Sequence, residues 1–187
     1  MELWLIRHPR PEVEPGVCYG RLDLPVAAWE IEAVADRLLP ILPPSHRLRT
    51  SPAGRCLSLA RRLHREPVED ERLLERAFGA WEGMSWDAVG RGPLATWAAD
   101  PWGFAPPGGE STRALAARVA VALEEEVAAG GVAIWVTHQG VIRTVVGMLL
   151  ELKDEVWMKA ELPFGGVRRM VAKEGKWQEK EEIAAGD

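Results

Sequence analysis

The apolar run Leu3-Trp4-Leu5-Ile6 ends abruptly in Arg7-His8. A short unbroken apolar run of this kind reads as one strand buried on both faces. A guanidinium and an imidazole directly after it gain nothing from packing. They stand where the carboxyl ends of strands in an open α/β sheet gather ligands. That placement constrains the chain more than any other feature, and the remaining segments fit it.

A second run of the same kind, Val132 to Val136, ends in Thr137-His138-Gln139-Gly140. Leu48 to Thr50 reads as a third strand, Glu66 to Leu74 holds a short strand and a turn, Val167 to Ala172 is a strand, and Gly175 to Ile183 adds an edge strand. Helical periodicity separates them. Val26 to Leu42 places Trp29, Ala33, Val34, Leu38 and Leu39 on one side and stops at Pro43-Pro44. Ser51-Pro52 opens a helix to about His64, the serine capping it and the proline fitting its first turn, with Cys56, Leu59, Ala60 and Leu63 inward. Ser111 or Thr112 caps a helix to Ala129, stopped by Gly130-Gly131. Gly140 to Leu150 is an apolar helix that serves either the core or a homodimer interface. Strands alternating with helices predict a three-layer α/β domain.

At 187 residues, 47% hydrophobic and 27% charged, the chain reads as a single domain over 1–187. A loop-rich insertion at about 78–110, from Phe78 to Gly109, carries Trp81, Trp86, Trp97 and Trp102. Such long irregular segments are uncommon unless they shape a site. The nine tryptophans beside one tyrosine read first as core, with an aromatic substrate wall as the alternative. A net charge of −5 disfavours a nucleic-acid partner. No basic leader with a cleavage site and no membrane-length apolar run is seen, so no membrane partner and a cytoplasmic location are expected. Cys18 and Cys56 match no metal spacing and are expected to be free thiols.

If the strands are neighbours, Arg7, His8, Arg55 and His138 converge. Guanidinium forks grip phosphate and stay charged. A neutral imidazole can attack phosphorus, and a second, protonated one can stabilise charge on the equatorial oxygens. The helix starts after Ser51 and His138 add backbone donors. An acid for the leaving oxygen can come from Glu75, Glu82 or Glu110, given partial burial to raise its pKa.

The ordered set Arg7-His8, Thr50-Ser51-Pro52 with Arg55, Leu73-Leu74-Glu75 with Phe78-Gly79 and Trp81-Glu82-Gly83, Gly109-Glu110-Ser111, and Val136-Thr137-His138-Gln139-Gly140 resembles the histidine phosphatase superfamily, also called phosphoglycerate mutase-like. The resemblance spans Leu3 to Gly147. It implies an α/β/α sandwich with a mostly parallel central sheet and helices on both faces. It implies His8 as the phosphorylated nucleophile, Arg7, Arg55 and His138 as the phosphoryl clamp, and Glu75 as general acid; Glu82 does not match that acid. No cofactor is implied. The loop Pro15 to Pro25 looks most like the α-ribazole phosphatase branch. Arg10, Arg21, Trp81 and Glu110 are candidates for the remote part of a phosphorylated small-molecule substrate.

Two positions depart from the family. Pro9 replaces the usual glycine after the nucleophile and lacks an N–H, so a phosphate donor is lost there. Gln139 replaces the glycine after the second histidine. It keeps its backbone N–H and brings an amide side chain that can reach phosphate. Hydrolysis is expected rather than mutase action at this length. A broad-specificity phosphatase and a phosphate-binding pseudo-enzyme remain alternatives, the latter motivated by Pro9. A metal site at His8 and His138 has no further ligand at suitable spacing.

Overall fold

The computed structural model describes residues 1–183. Its six strands are β1 (Glu2–Arg7), β2 (Arg47–Thr50), β3 (Val68–Glu69), β4 (Val132–Thr137), β5 (Val167–Lys173) and β6 (Lys176–Ile183). They form one sheet in the order β3-β2-β4-β1-β5-β6. The first four are parallel, while β5 and β6 run antiparallel at one edge. The helices are α1 (Ala28–Leu38), α2 (Gly54–Leu63), α3 (Trp86–Val89), α4 (Arg91–Ala99), α5 (Thr112–Ala129), α6 (Gln139–Leu149) and α7 (Asp154–Trp157).

The apolar runs are continuous because both faces of the sheet are covered. Successive residues of β1 enter opposite cores. Leu3 and Leu5 join Trp135 of β4 and the α5 and α6 side chains Val119, Ile142 and Val145. Trp4 and Ile6 join Ile134, Val34 and Leu38 of α1, and Leu59 of α2. The sheet is therefore the middle of three layers. Each fully buried aliphatic side chain of this kind contributes roughly 1.5–3 kcal/mol. Helix α6 is core: Val141, Ile142, Val145 and Val146 are buried against the first of these clusters.

Several expectations are corrected. On α1 the buried residues are Val34, Ala35 and Leu38. Ala33 lies on the solvent side, and Trp29 and Leu39 are 68% and 46% exposed. The helix is shorter than its apolar stretch, and only a narrow stripe meets α2 and the sheet. Helix α2 starts at Gly54, so Ser51 is not its cap; the Ser51 hydroxyl accepts from Ala53 N–H at 3.3 Å and turns to the site instead. Glu66 to Leu74 holds the expected short strand and turn, a two-residue β3 and a 3₁₀ turn, Glu71–Leu73, capped by Asp70. Ser111 does cap α5, accepting from Ala114 N–H at 3.1 Å. The β5–β6 hairpin turns at Glu174 (φ 52°) and Gly175 (φ 76°), the paired positive angles that a tight hairpin needs.

The insertion packs on itself. Cys18, Trp81 and Val89 are buried in a third cluster with Phe78, Trp86 and Trp97 against them. Cys18 exchanges backbone hydrogen bonds with Met84 (2.9 Å) and Gly83 (2.7 Å), so the loop after β1 is tied to it. Cys18 and Cys56 are both free and buried, and burial pushes the Cys18 thiol up to about 12.

Candidate active site

The strand register brings the predicted residues together. Arg7 lies opposite Thr137, and Thr50 opposite Val136. Beyond those pairs, His8 N–H donates to Thr137 O at 3.0 Å and Ser51 N–H to Val136 O at 3.0 Å. Three strand ends therefore finish side by side, carrying Arg7-His8, Ser51 with Arg55, and His138. The rings of His8 and His138 are 5.1 Å apart, edge to face, and both residues are buried.

A hydrogen bond assigns the His8 tautomer. His8 Nδ1 is 2.7 Å from the Pro9 carbonyl, which can only accept. The proton is therefore on Nδ1, and Nε2 carries the lone pair. Pro9 gives up an N–H and yet fixes its neighbour through its carbonyl. His138 Nε2 meets the Ser51 hydroxyl at 2.8 Å, with Cys56 Sγ at 3.5 Å.

The arginines are anchored at their tips. Arg55, 1% exposed, donates from its two terminal nitrogens to Leu22 O and Gly20 O, both at 2.6 Å. Arg7 donates to Leu162 O at 2.5 Å and lies 3.9 Å over the Phe164 ring. The Nε of each is buried without a partner among the described residues. Two unmet cationic donors beside two imidazoles form a site that an oxyanion satisfies. Burial first, then Arg55 and Arg7, holds His8 well below its ordinary value of 6.5. Burial, His8 and Arg55 do the same for His138. Both imidazoles are therefore neutral in this setting, and the protonated His138 expected from the sequence requires a bound anion.

Glu75 stands at the cavity wall. Its Oε1 accepts from Arg76 N–H at 2.9 Å and its Oε2 from Gly140 N–H, near the start of α6, at 3.1 Å. Its carbonyl is held by Arg21 Nε (3.0 Å) and Arg118 (3.1 Å). A cavity of about 540 Å³ opens here, lined among others by Arg7, Tyr19, Glu75 and Arg143 and by the aromatic wall of Phe78, Trp86 and Trp97.

The remaining sequence candidates are placed outside this cavity or turned from it. Glu82 is engaged by the backbone N–H groups of Phe78 (2.8 Å) and Arg21 (3.1 Å). Glu110 pairs with Arg118 (2.8 Å) and Arg21 (3.3 Å). Its burial works to raise the pKa, but Arg118 and Arg21 outweigh that and hold the carboxyl below its ordinary value, which suits a brace and not an acid. Arg21 and Glu110 thus support Glu75 from behind. Trp81 is 5% exposed, stacked on Phe104 beneath the wall rather than in it. Arg10 is exposed, its guanidinium 5.2 Å from the Phe164 ring. The Gln139 side chain lines the cavity, yet its amide donates to Ala160 O at 2.9 Å and accepts from Leu162 N–H at 3.3 Å. It ties down the loop before β5, so only its backbone N–H is left for phosphate.

Sequence reasoning missed Tyr19, Arg143, Trp157 and Phe164. The stretch between Leu150 and Val167 has no clear period. Its Pro163-Phe164-Gly165-Gly166 segment, where Gly165 N–H bonds Arg7 O (3.1 Å) and Gly166 O accepts from Arg7 N–H (3.0 Å), was the available signal. Among the described residues no group of three His, Cys, Asp or Glu could hold a metal, and no helix is long and apolar enough to cross a membrane.

Comparison with known proteins agrees with this geometry. The family model described as histidine phosphatase superfamily (branch 1) matches residues 3–182. A search of curated proteins finds no match. Among solved structures, mycobacterial glucosyl-3-phosphoglycerate phosphatase superposes with a TM-score of 0.85 at 23% identity, over 98% of this chain and 99% of that one. The α-ribazole phosphatase of Shigella flexneri gives 0.83 at 24% identity, over 100% and 99%. A protein of Thermus thermophilus gives 0.78 at 29% identity, over 99% and 100%. Over nearly its whole length, then, the chain belongs to the histidine phosphatase superfamily, branch 1, and is a phosphatase of that type.

Proposed function

We propose that the protein hydrolyses phosphate monoesters without a metal, through a phosphohistidine on His8. The carrying observation is the His8 Nδ1–Pro9 O bond, which leaves Nε2 as the bare nitrogen of a ring close enough to Arg55 and Arg7 to feel both charges. The Nε2 lone pair attacks phosphorus in line, and the P–O bond to the leaving group breaks. Protonated Glu75 gives its proton to the leaving oxygen. As carboxylate, Glu75 then takes a proton from water, the hydroxide attacks phosphorus, and the P–N bond returns its pair to Nε2. Arg7, Arg55 and His138 hold the phosphoryl oxygens throughout.

The substrate we favour is α-ribazole 5′-phosphate, on the resemblance of the Pro15–Pro25 loop. The cavity wall supports it, since Val17, Cys18, Tyr19 and Gly20 of that loop line the same space as the insertion's aromatic rings. A broad-specificity phosphatase is the alternative. His8→Ala should abolish turnover and leave no acid-labile phosphoenzyme after quenching. A variant that keeps wild-type activity would sink the scheme. Values of kcat/KM on α-ribazole 5′-phosphate, 3-phosphoglycerate and simple alkyl phosphates separate the substrate readings.

A further inference from the structure

We infer that the leaving group this site is built for carries a flat aromatic system, held between the insertion and α7; the inference rests on the phosphatase reading above. Phe78, Trp86 and Trp97 form one wall of the cavity, with ring centroids 5.6–5.9 Å apart. Trp157 and Met158, at the end of α7, contribute another part of the lining. Trp157 is fixed in place: its Nε1 donates to Asp154 at 3.0 Å, and its ring packs so closely on α6 that a Cβ at Gly147 would fall 2.6 Å from it. Trp102 meets Trp157 edge to face at 5.9 Å, joining the insertion to α7. These rings pack against one another, and aromatic faces pair with flat rings at centroid distances of about 4.5–7 Å.

Several polar side chains of the same cavity are engaged within the protein. Arg76 donates to Glu110 O, Thr112 Oγ1 and Phe104 O at 2.8–3.0 Å. Thr112 donates to Pro101 O at 2.7 Å. The Gln139 amide is held at both ends, and Arg143 Nε donates to Ala160 O. A cationic group meets Arg76, whose guanidinium lies 5.0 Å from the Trp97 ring and 5.2 Å from that of Phe78. A flat aromatic ring gains stacking and apolar contact there.

The test compares 1-naphthylmethyl phosphate with glycerol 2-phosphate. Both leave as alkoxides of similar basicity, so the ratio of kcat/KM reports recognition rather than chemistry. The ratio should favour the naphthyl ester by about tenfold or more, and Trp86→Leu, which keeps the wall apolar but removes a flat face, should lower it several-fold. Binding of 1-naphthylmethylphosphonate against methylphosphonate to the intact protein, by calorimetry, gives a readout independent of turnover and should show the same preference. Equal ratios in both assays overturn the inference while His8-dependent hydrolysis still upholds the phosphatase reading. Absence of hydrolysis overturns that reading, and the phosphonate preference then decides the inference alone.

Discussion

The Ser51 hydroxyl lies 2.8 Å from Nε2 of His138, in a site where both residues are buried. Ser51 accepts from Ala53 N–H at 3.3 Å and keeps its own proton for a second bond. We expect it to donate to the imidazole, which places the His138 proton on Nδ1. Ser51→Ala frees both the tautomer and the ring. We expect a fall of roughly tenfold to a hundredfold in kcat/KM, in line with about 1–3 kcal/mol for a buried polar group left unpaired. Nitrogen NMR of the imidazole checks the cause: Nε2 should be unprotonated in the wild type and lose that unique assignment in the variant.

Phe164 carries the Arg7 guanidinium on its face at 3.9 Å and touches the His8 ring at 5.5 Å between centroids. A cation–π contact of this kind contributes about 0.5–2 kcal/mol and keeps the arginine flat. Phe164→Leu should therefore raise KM and weaken inhibition by inorganic phosphate several-fold, with a smaller change in kcat. An unaltered phosphate inhibition constant would show that Arg7 is oriented by Leu162 O alone.

Glu75→Gln keeps the size of the side chain and removes the proton donor. On an alkyl phosphate kcat should drop by about 10²–10⁴. On an aryl phosphate with an acidic phenol the leaving oxygen needs no proton, so the first step should be nearly spared. A burst of phenol followed by slow turnover is the expected trace, because the later activation of water also needs Glu75. Absence of the burst, with the first step slowed equally on both esters, would assign the acid to another group.

Stability should fall on mild acidification. Both histidines are held well below 6.5 by burial and by neighbouring cations. Below pH 6.5 the unfolded chain binds protons that the native site refuses. Their contribution is thus complete above that pH and shrinks as pH drops, by up to about 1.4 kcal/mol per unit for each histidine. Urea midpoints measured from pH 7.5 to 5 should decline, and less steeply in His138→Asn. Phosphate, which favours the protonated imidazoles, should flatten the decline further. A pH-independent midpoint over this range would contradict the electrostatic account.

Much of the architecture was legible in the chain. Leu3 to Ile6 and Val132 to Val136 are apolar without interruption because strands buried on both faces have no solvent side. The polar residues directly after them mark strand ends. What pattern could not supply lies where no period exists. Trp29 and Leu39 look like core by spacing and are exposed, because α1 meets its neighbours along a narrower stripe than its composition offers. Ser51 looks like a cap by type and instead reaches a histidine 87 positions away. Glu110 and Arg21 look like substrate contacts and turn out to brace Glu75, because each meets a partner far along the chain.

The sequence by itself determined the sheet, its approximate elements, and the order of residues able to bind and attack phosphate. Each of these depends on local spacing or on residue type, which a linear chain displays. Tertiary structure decided which of those residues meet. The β1–β4 and β2–β4 register sets His8, Ser51 and His138 side by side. The otherwise featureless loop before β5 brings Phe164 onto Arg7, and α7 brings Trp157 to the cavity. The sequence also presented Pro9 as a lost donor. Only the folded backbone shows its carbonyl 2.7 Å from His8 Nδ1, holding the proton on that nitrogen and leaving the other free to react.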